Sequence, residues 1–193
     1  MPIQRNNINL PNLVSMLRLL IAPLLFYFAF QGMQTWFMAS LLVSAFSDVL
    51  DGFLARRLNQ ITQLGSRLDS WGDFTIYSSM AICAWILWPQ TVLQEVIYFS
   101  IILTSICLPV LIGIIKFGIL TSYHTWSVKF AVACTFVAYI LLFSGISEWP
   151  FRLASLLCLG AGLEQIMITL LLKHPRVDVR SVWSVIRVEK HSD

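Results

Sequence analysis

The sequence predicts an all-α integral membrane protein with six transmembrane helices and both termini cytoplasmic. Three observations carry that expectation. Of 193 residues, 58% are hydrophobic and only 12% are charged, and the mean hydropathy is +0.77, whereas a soluble globular domain normally carries about 25% charged residues. Apolar segments long enough to cross a bilayer, roughly 20 residues each, recur along the chain. Lys and Arg gather in alternate connections, as the positive-inside rule requires.

Taken in order, the expected spans are Leu13–Phe30, Trp36–Leu58, Gly65–Trp88, Gln94–Phe117, Trp126–Ser144 and Phe151–Leu172. The first is interrupted only by Arg18 near its start. The second ends in the charged stretch Asp51–Arg57, and the polar link 59–63 leads into a third helix that becomes wholly apolar after Asp73. The last three are apolar nearly throughout. Met1–Asn9 is polar and too short to hold the apolar core of a signal peptide, so no cleaved leader is expected. The whole chain, 1–193, is expected to form one membrane domain.

In this layout Arg5, Arg56, Arg57, Lys116, Lys129 and the C-terminal basic residues share one side, while the opposite loops hold Arg152 with Glu95 and Glu148. The basic side is then cytoplasmic. The tail 174–193 mixes Val, Trp and Ile with Arg and Lys, the composition of a segment lying on anionic headgroups. The net charge of +3 follows from that bias, and no nucleic-acid partner is needed to explain it. Cys83, Cys107, Cys134 and Cys158 stand singly in apolar segments without metal-type spacing, and are expected to be buried and reduced.

Against this background the acidic residues stand out. A charged side chain near the bilayer centre costs about 2.5–3.5 kcal/mol on insertion scales, yet Asp48, Asp51, Asp69 and Asp73 lie in or beside apolar segments. At about 100° per residue, Asp48, Asp51, Gly52 and Ala55 share one face of the second helix, and Gly65, Asp69 and Asp73 stack at i, i+4 on the third. Gly52, Ala55 and Gly65 remove bulk along these stripes. That suits close helix packing or a flat ligand against the backbone. Clustered carboxylates can share hard cations such as Mg²⁺, which usually keep phosphate oxygens as further ligands, so the pattern points to a metal-bound phosphate or diphosphate. A proton or Na⁺ site of a cation-coupled transporter is the rival reading.

Asp48, Asp51, Gly52, Ala55, Arg56, Gly65, Asp69 and Asp73 form D-x2-D-G-x2-A-R-x8-G-x3-D-x3-D. This resembles the signature of the CDP-alcohol phosphatidyltransferase family at every specified position. The resemblance implies transfer of a phosphatidyl group from CDP-diacylglycerol to a small alcohol acceptor, with release of CMP, in a homodimer of the inner membrane whose site faces the cytosol. It implies two divalent ions, Mg²⁺ or Mn²⁺. By position, Asp48 and Asp69 would bridge both, Asp51 would hold the first, and Asp73 would bind the second and act as general base. Gly52, Arg56 and Thr62 would contact CDP-diacylglycerol, in a set extended by Asn12, Ser15, Ala55 and Gly65.

The segment Asn9–Arg18, continuing to Pro23, resembles the opening of the phosphatidylglycerophosphate synthase and cardiolipin synthase branches of the family. Asn12 or Ser15 could instead be a helix N-cap, and Arg18 could contact phosphate or snorkel to the headgroups. Those branches usually place Pro after the third Asp and Lys after the fourth, whereas this chain has Ser70 and Phe74. Glycerol 3-phosphate is the best-fitting acceptor, with phosphatidylglycerol, inositol phosphate and serine as alternatives. Arg67, Lys116, His124 and Lys129 are the cytoplasmic-side candidates to hold its phosphate, with Arg18. An intramembrane prenyltransferase would call for a second Asp motif, and none follows Asp73.

Overall fold

The computed structural model describes residues 10–57, 63–118 and 125–172. Thr62, His124 and the basic tail 174–193 lie outside the described residues. Seven helices account for nearly all of the described residues: α1 Leu10–Phe30, α2 Gln34–Arg57, α3 Gln63–Leu87, α4 Pro89–Gln94, α5 Val96–Phe117, α6 Trp126–Phe143 and α7 Trp149–Leu171. Six of them correspond to the expected spans. The short α4 was not foreseen, because Pro89 ends α3 while occupying the first helical position of the next turn, where its missing N–H leaves nothing unsatisfied. Three helices, α5, α6 and α7, are long and apolar enough to cross a membrane, and α1 and α3 contain the shorter apolar stretches Leu20–Phe30 and Phe74–Leu87.

The chain divides into two compact units, Met1–Gln90 and Thr91–Asp193. In the first, α1 packs on both α2 and α3. Each helix buries a stripe with steps of three and four: Ala22, Leu25 and Ala29 on α1; Phe37, Leu41 and Ser44 on α2; Ile76, Met80 and Cys83 on α3. Two further buried serines close their own hydrogen bonds one turn back, Ser47 Oγ donating to Val43 O at 2.9 Å and Ser79 Oγ to Thr75 O at 2.7 Å, so each of these hydroxyls sits inside an apolar bundle without an orphaned donor. The turn from α1 into α2 is closed by Gly32 at φ +67°. Met33 N donates to Phe28 O at 2.8 Å and Gly32 N to Ala29 O at 3.1 Å, the paired bonds of a helix end that needs a left-handed residue. Trp88 meets Phe37 edge-on at 5.8 Å, which ties the end of α3 to the start of α2.

In the second unit α7 packs on both α5 and α6. Ala131, Cys158 and Ala161 form a buried cluster covered by Ile102 and Val128, and Phe99 meets Phe151 at 4.6 Å between ring centres with the rings tilted by 44°. Small residues set the spacing here, as they do where helices meet without a hydrophobic driving force. Gly162 is the tightest point: a Cβ placed on it would lie 2.7 Å from the backbone oxygen of Ser105. Backbone cannot swing aside, so Gly162→Ala forces α5 and α7 apart and should cost about 1–3 kcal/mol. Gly160, two residues earlier, has nothing within 4 Å of such an atom. Gly160→Ala should therefore leave thermal stability in detergent unchanged or raised, through helix propensity, while Gly162→Ala lowers it. Equal effects of the two substitutions would remove the close-approach explanation.

All four cysteines are free; Cys83 and Cys158 are buried, Cys134 is partly covered, and Cys107 is exposed on α5. The expectation that all four would be buried fails at Cys107. An all-apolar helix offers no periodicity from which an inner face can be told from an outer one.

Candidate functional site

The acidic pattern is placed by the two helices on either side of residues 58–62. Asp48, Asp51, Gly52, Ala55 and Arg56 belong to the C-terminal part of α2, and Gly65, Arg67, Asp69 and Asp73 to the N-terminal part of α3. Their side chains lie outside the described part of the structure, and their backbone register is informative. Stepping back from Asp51 and Asp48 by three and four residues reaches Ser44, Leu41 and Phe37, all buried. Stepping forward from Asp69 and Asp73 reaches Ile76, Met80 and Cys83, also buried. The carboxylate positions thus continue the stripes that unit 1 keeps away from its surroundings. On α2 the stripe passes from Phe and Leu through buried Ser44 and Ser47 to aspartate.

Asp48 lies nine residues before the last residue of α2, about 14 Å along the axis at 1.5 Å per residue. Asp73 lies ten residues after the first residue of α3, about 15 Å along it. The pattern therefore runs well into both helices and is not a fringe of charge at their ends. Four carboxylates and no sulfur or imidazole form a hard donor set, which fits Mg²⁺ or Mn²⁺ and not zinc. Among the residues whose side chains are described, no group of three or more His, Cys, Asp or Glu could hold a metal.

Asn12, Ser15 and Arg18 all lie within α1, which begins at Leu10. Neither Asn12 nor Ser15 is the N-cap of that helix, so the capping alternative for them is withdrawn. The helix begins three residues before the expected Leu13, because Pro11 is tolerated in a first helical turn.

Two of the acceptor candidates, Lys116 and Lys129, are described residues of unit 2, and the structure treats them differently. Lys116, in the last turn of α5, donates through Nζ to Thr169 O at 2.9 Å and to Leu170 O at 2.8 Å. These carbonyls end α7, where backbone acceptors have no partner within the helix and a cation complements the dipole. Two of the three ammonium donors are thereby committed to a helix end. Lys129, near the start of α6, has its ammonium 5.6 Å from the centre of the Trp126 ring.

Sequence reasoning missed two further groupings in unit 2. Arg152 donates to Glu95 at 3.0 and 2.6 Å and to Glu148 at 2.5 Å, lies over the Tyr98 and Trp149 rings, and leaves the Glu95 side chain only 3% exposed. This fixes the start of α5 to the start of α7, and the only signal in the sequence was that these charges share one set of loops. The second grouping joins Thr125, Ser127 and Glu164. Thr125 caps α6 and is fully buried, its Oγ1 lies 2.9 Å from Ser127 Oγ, and Ser127 donates to Glu164. Glu164 is the one acidic residue inside an otherwise apolar α7 segment, and an intramembrane carboxylate is a functional signal in its own right.

Residues 8–172 match the CDP-alcohol phosphatidyltransferase family. The chain belongs to that family. It is 33% identical over 94 residues to a protein of Aquifex aeolicus named "CDP-diacylglycerol--glycerol-3-phosphate 3-phosphatidyltransferase", covering 49% of this chain and 52% of the relative. A protein of the same name from Escherichia coli (strain K12) is 29% identical over 145 residues, covering 73% of this chain and 59% of that one. A cardiolipin synthase (CMP-forming) / mitochondrial hydrolase fusion protein of Schizosaccharomyces pombe is 33% identical over 82 residues, covering 42% and 14%. The chain thus spans little more than half the length of these two transferases. No solved structure matches it significantly.

Proposed function

We propose that the protein transfers the phosphatidyl group of CDP-diacylglycerol to glycerol 3-phosphate and releases CMP. The observation that carries this reading is the register of Asp48, Asp51, Asp69 and Asp73, which continues the buried stripes of α2 and α3 on either side of one short link. The names of the Aquifex and E. coli relatives support the choice of acceptor.

In the proposed reaction the acceptor hydroxyl oxygen attacks the phosphatidyl phosphorus, its proton passes to the Asp73 carboxylate, and the bond from that phosphorus to the CMP oxygen breaks. Bound Mg²⁺ or Mn²⁺ would neutralise the diphosphate and the charge that develops on it. Asp48, Asp51 and Asp69, with Asp73, would hold two such ions. Arg56, Thr62 and Gly52 would orient the nucleotide lipid, with Asn12, Ser15, Ala55 and Gly65 beside them. A carboxylate beside the attacking hydroxyl is the base the step requires.

The same reading places six spans in the bilayer of the inner membrane, both termini in the cytoplasm, and the aspartates open to the cytosol, where a soluble acceptor arrives; a homodimer completes it. The chain is tested by supplying purified protein with CDP-diacylglycerol, Mn²⁺ and one alcohol at a time. CMP should appear with glycerol 3-phosphate and not without acceptor. Release only with phosphatidylglycerol, inositol phosphate or serine would transfer the proposal to that alcohol, and release with none would end it.

The two lysines should separate. Lys129→Ala should raise the KM for glycerol 3-phosphate more than that for CDP-diacylglycerol, because it removes a charge from the phosphate alone. Lys116→Ala should chiefly lower thermal stability, by about 1.5–3 kcal/mol, because it strips a charged donor from the end of α7. A selective KM effect at Lys116 with unchanged stability would reverse these assignments.

A further inference from the structure

We propose that Glu164 is a positioning residue for acceptor binding, acting through Ser127 and Thr125 on the first turn of α6 and so on Lys129. The inference rests on the transferase reading above and adds to it a residue outside the aspartate pattern.

The hydrogen bonds run in one direction. Val128 N–H donates to Thr125 Oγ1 at 3.4 Å. Ser127 spends its single proton on Glu164, so the 2.9 Å contact between the two hydroxyls is Thr125 donating to Ser127. Each hydroxyl therefore accepts from one neighbour and donates to the next, and the chain leads to a carboxylate, the strongest acceptor available. Such chains polarise along their length and are weakened as a unit when the terminal acceptor is lost. Thr125 also receives the backbone N–H of Lys129 on its carbonyl at 3.2 Å. Glu164 is thus linked to Lys129 through two residues, one of them fully buried.

The charges explain why α6 needs this anchor. Its first turn holds no acidic residue, while Lys129 brings a cation to the end of a helix that is already positive. The complement comes from a different helix: Glu164 lies seven residues before the end of α7, about 10 Å inside it. A helix start held in this way presents Lys129 in one place. A loosened one leaves the same charge on a wandering stem.

Kinetics of single and double substitutions test the role. Glu164→Leu should raise the KM for glycerol 3-phosphate about tenfold, the scale of one hydrogen bond to a charged group, with the KM for CDP-diacylglycerol within about twofold of wild type. Glu164→Gln keeps an oxygen that accepts from Ser127 and should restore most of the affinity. Ser127→Ala breaks the chain from its other side without adding bulk, and serves alone should Glu164→Leu not fold. The double variant should be no worse than the more affected single one, because both changes remove one linkage. Both KM values rising together, an unmoved acceptor KM, or Gln behaving as badly as Leu would each overturn the proposal. A fall in acceptor KM with Gln would overturn it too, since the carboxylate would then be repelling the phosphate. No turnover of glycerol 3-phosphate by the wild type overturns the transferase reading and this inference together; wild-type turnover with any of the failures above overturns this inference alone.

Discussion

Asp48→Ala and Asp69→Ala are each expected to abolish turnover. In the proposed site each carboxylate is shared by two cations, so one substitution removes a ligand from both and leaves the diphosphate unneutralised as charge builds on phosphorus. A carboxylate serving one ion, as proposed for Asp51, should be less costly to replace. The measurement is CMP release at saturating CDP-diacylglycerol and acceptor over a range of Mn²⁺. Retention of more than about a tenth of wild-type activity, a loss under ~1.4 kcal/mol, would sink the shared-ligand assignment. Because these positions continue the stripes of α2 and α3, the fold must be checked alongside activity. Removing a carboxylate from a membrane helix relieves a solvation penalty, so both variants should be at least as stable as wild type in the absence of metal. That outcome separates loss of chemistry from loss of structure.

Asp73→Asn should cut the chemical step by at least ~10²-fold, the lower end of what general-base catalysis contributes, while CDP-diacylglycerol still binds with at most a modest loss. The amide keeps the shape and cannot take the proton of the attacking hydroxyl. Asp73 is also proposed as a ligand of the second ion, so the rate must be read at saturating Mn²⁺ beside a direct binding assay. If excess metal restores the rate, Asp73 is chiefly a ligand and the base lies elsewhere. A rate that stays low with nucleotide bound leaves the base assignment standing.

Lys116 and Lys129 illustrate how far the linear chain can be read. Both are basic residues at the ends of apolar segments, and by charge and position they are interchangeable candidates for a phosphate. The hydrogen bonds of Lys116 to Thr169 and Leu170 separate them, because they depend on α7 ending beside α5, more than fifty residues along the chain. Glu164 is the converse case. Its carboxylate is visible in the sequence as a charge inside an apolar run, but its partner Ser127 is an ordinary serine at a helix start until α6 and α7 are packed together.

What the sequence determined by itself was whatever short-range chemistry dictates. The apolar runs marked out helices within a few residues of their observed bounds, three of which are long and apolar enough to cross a membrane among the described residues, since an apolar helix satisfies its own backbone and needs no partner to be recognised. The acidic pattern was equally legible, because fixed spacing on a 3.6-residue period defines a face before any tertiary contact exists, and family membership follows from that pattern together with the match over residues 8–172. Tertiary structure alone decided which stripes are buried, why Gly162 tolerates no Cβ against Ser105, that Arg152 pairs with both Glu95 and Glu148, and that Ser127 at the start of α6 donates to Glu164 on α7. In helices apolar on every side, periodicity cannot distinguish the face that meets a neighbour from the face that meets lipid; only the packing of particular side chains across the interface makes that choice.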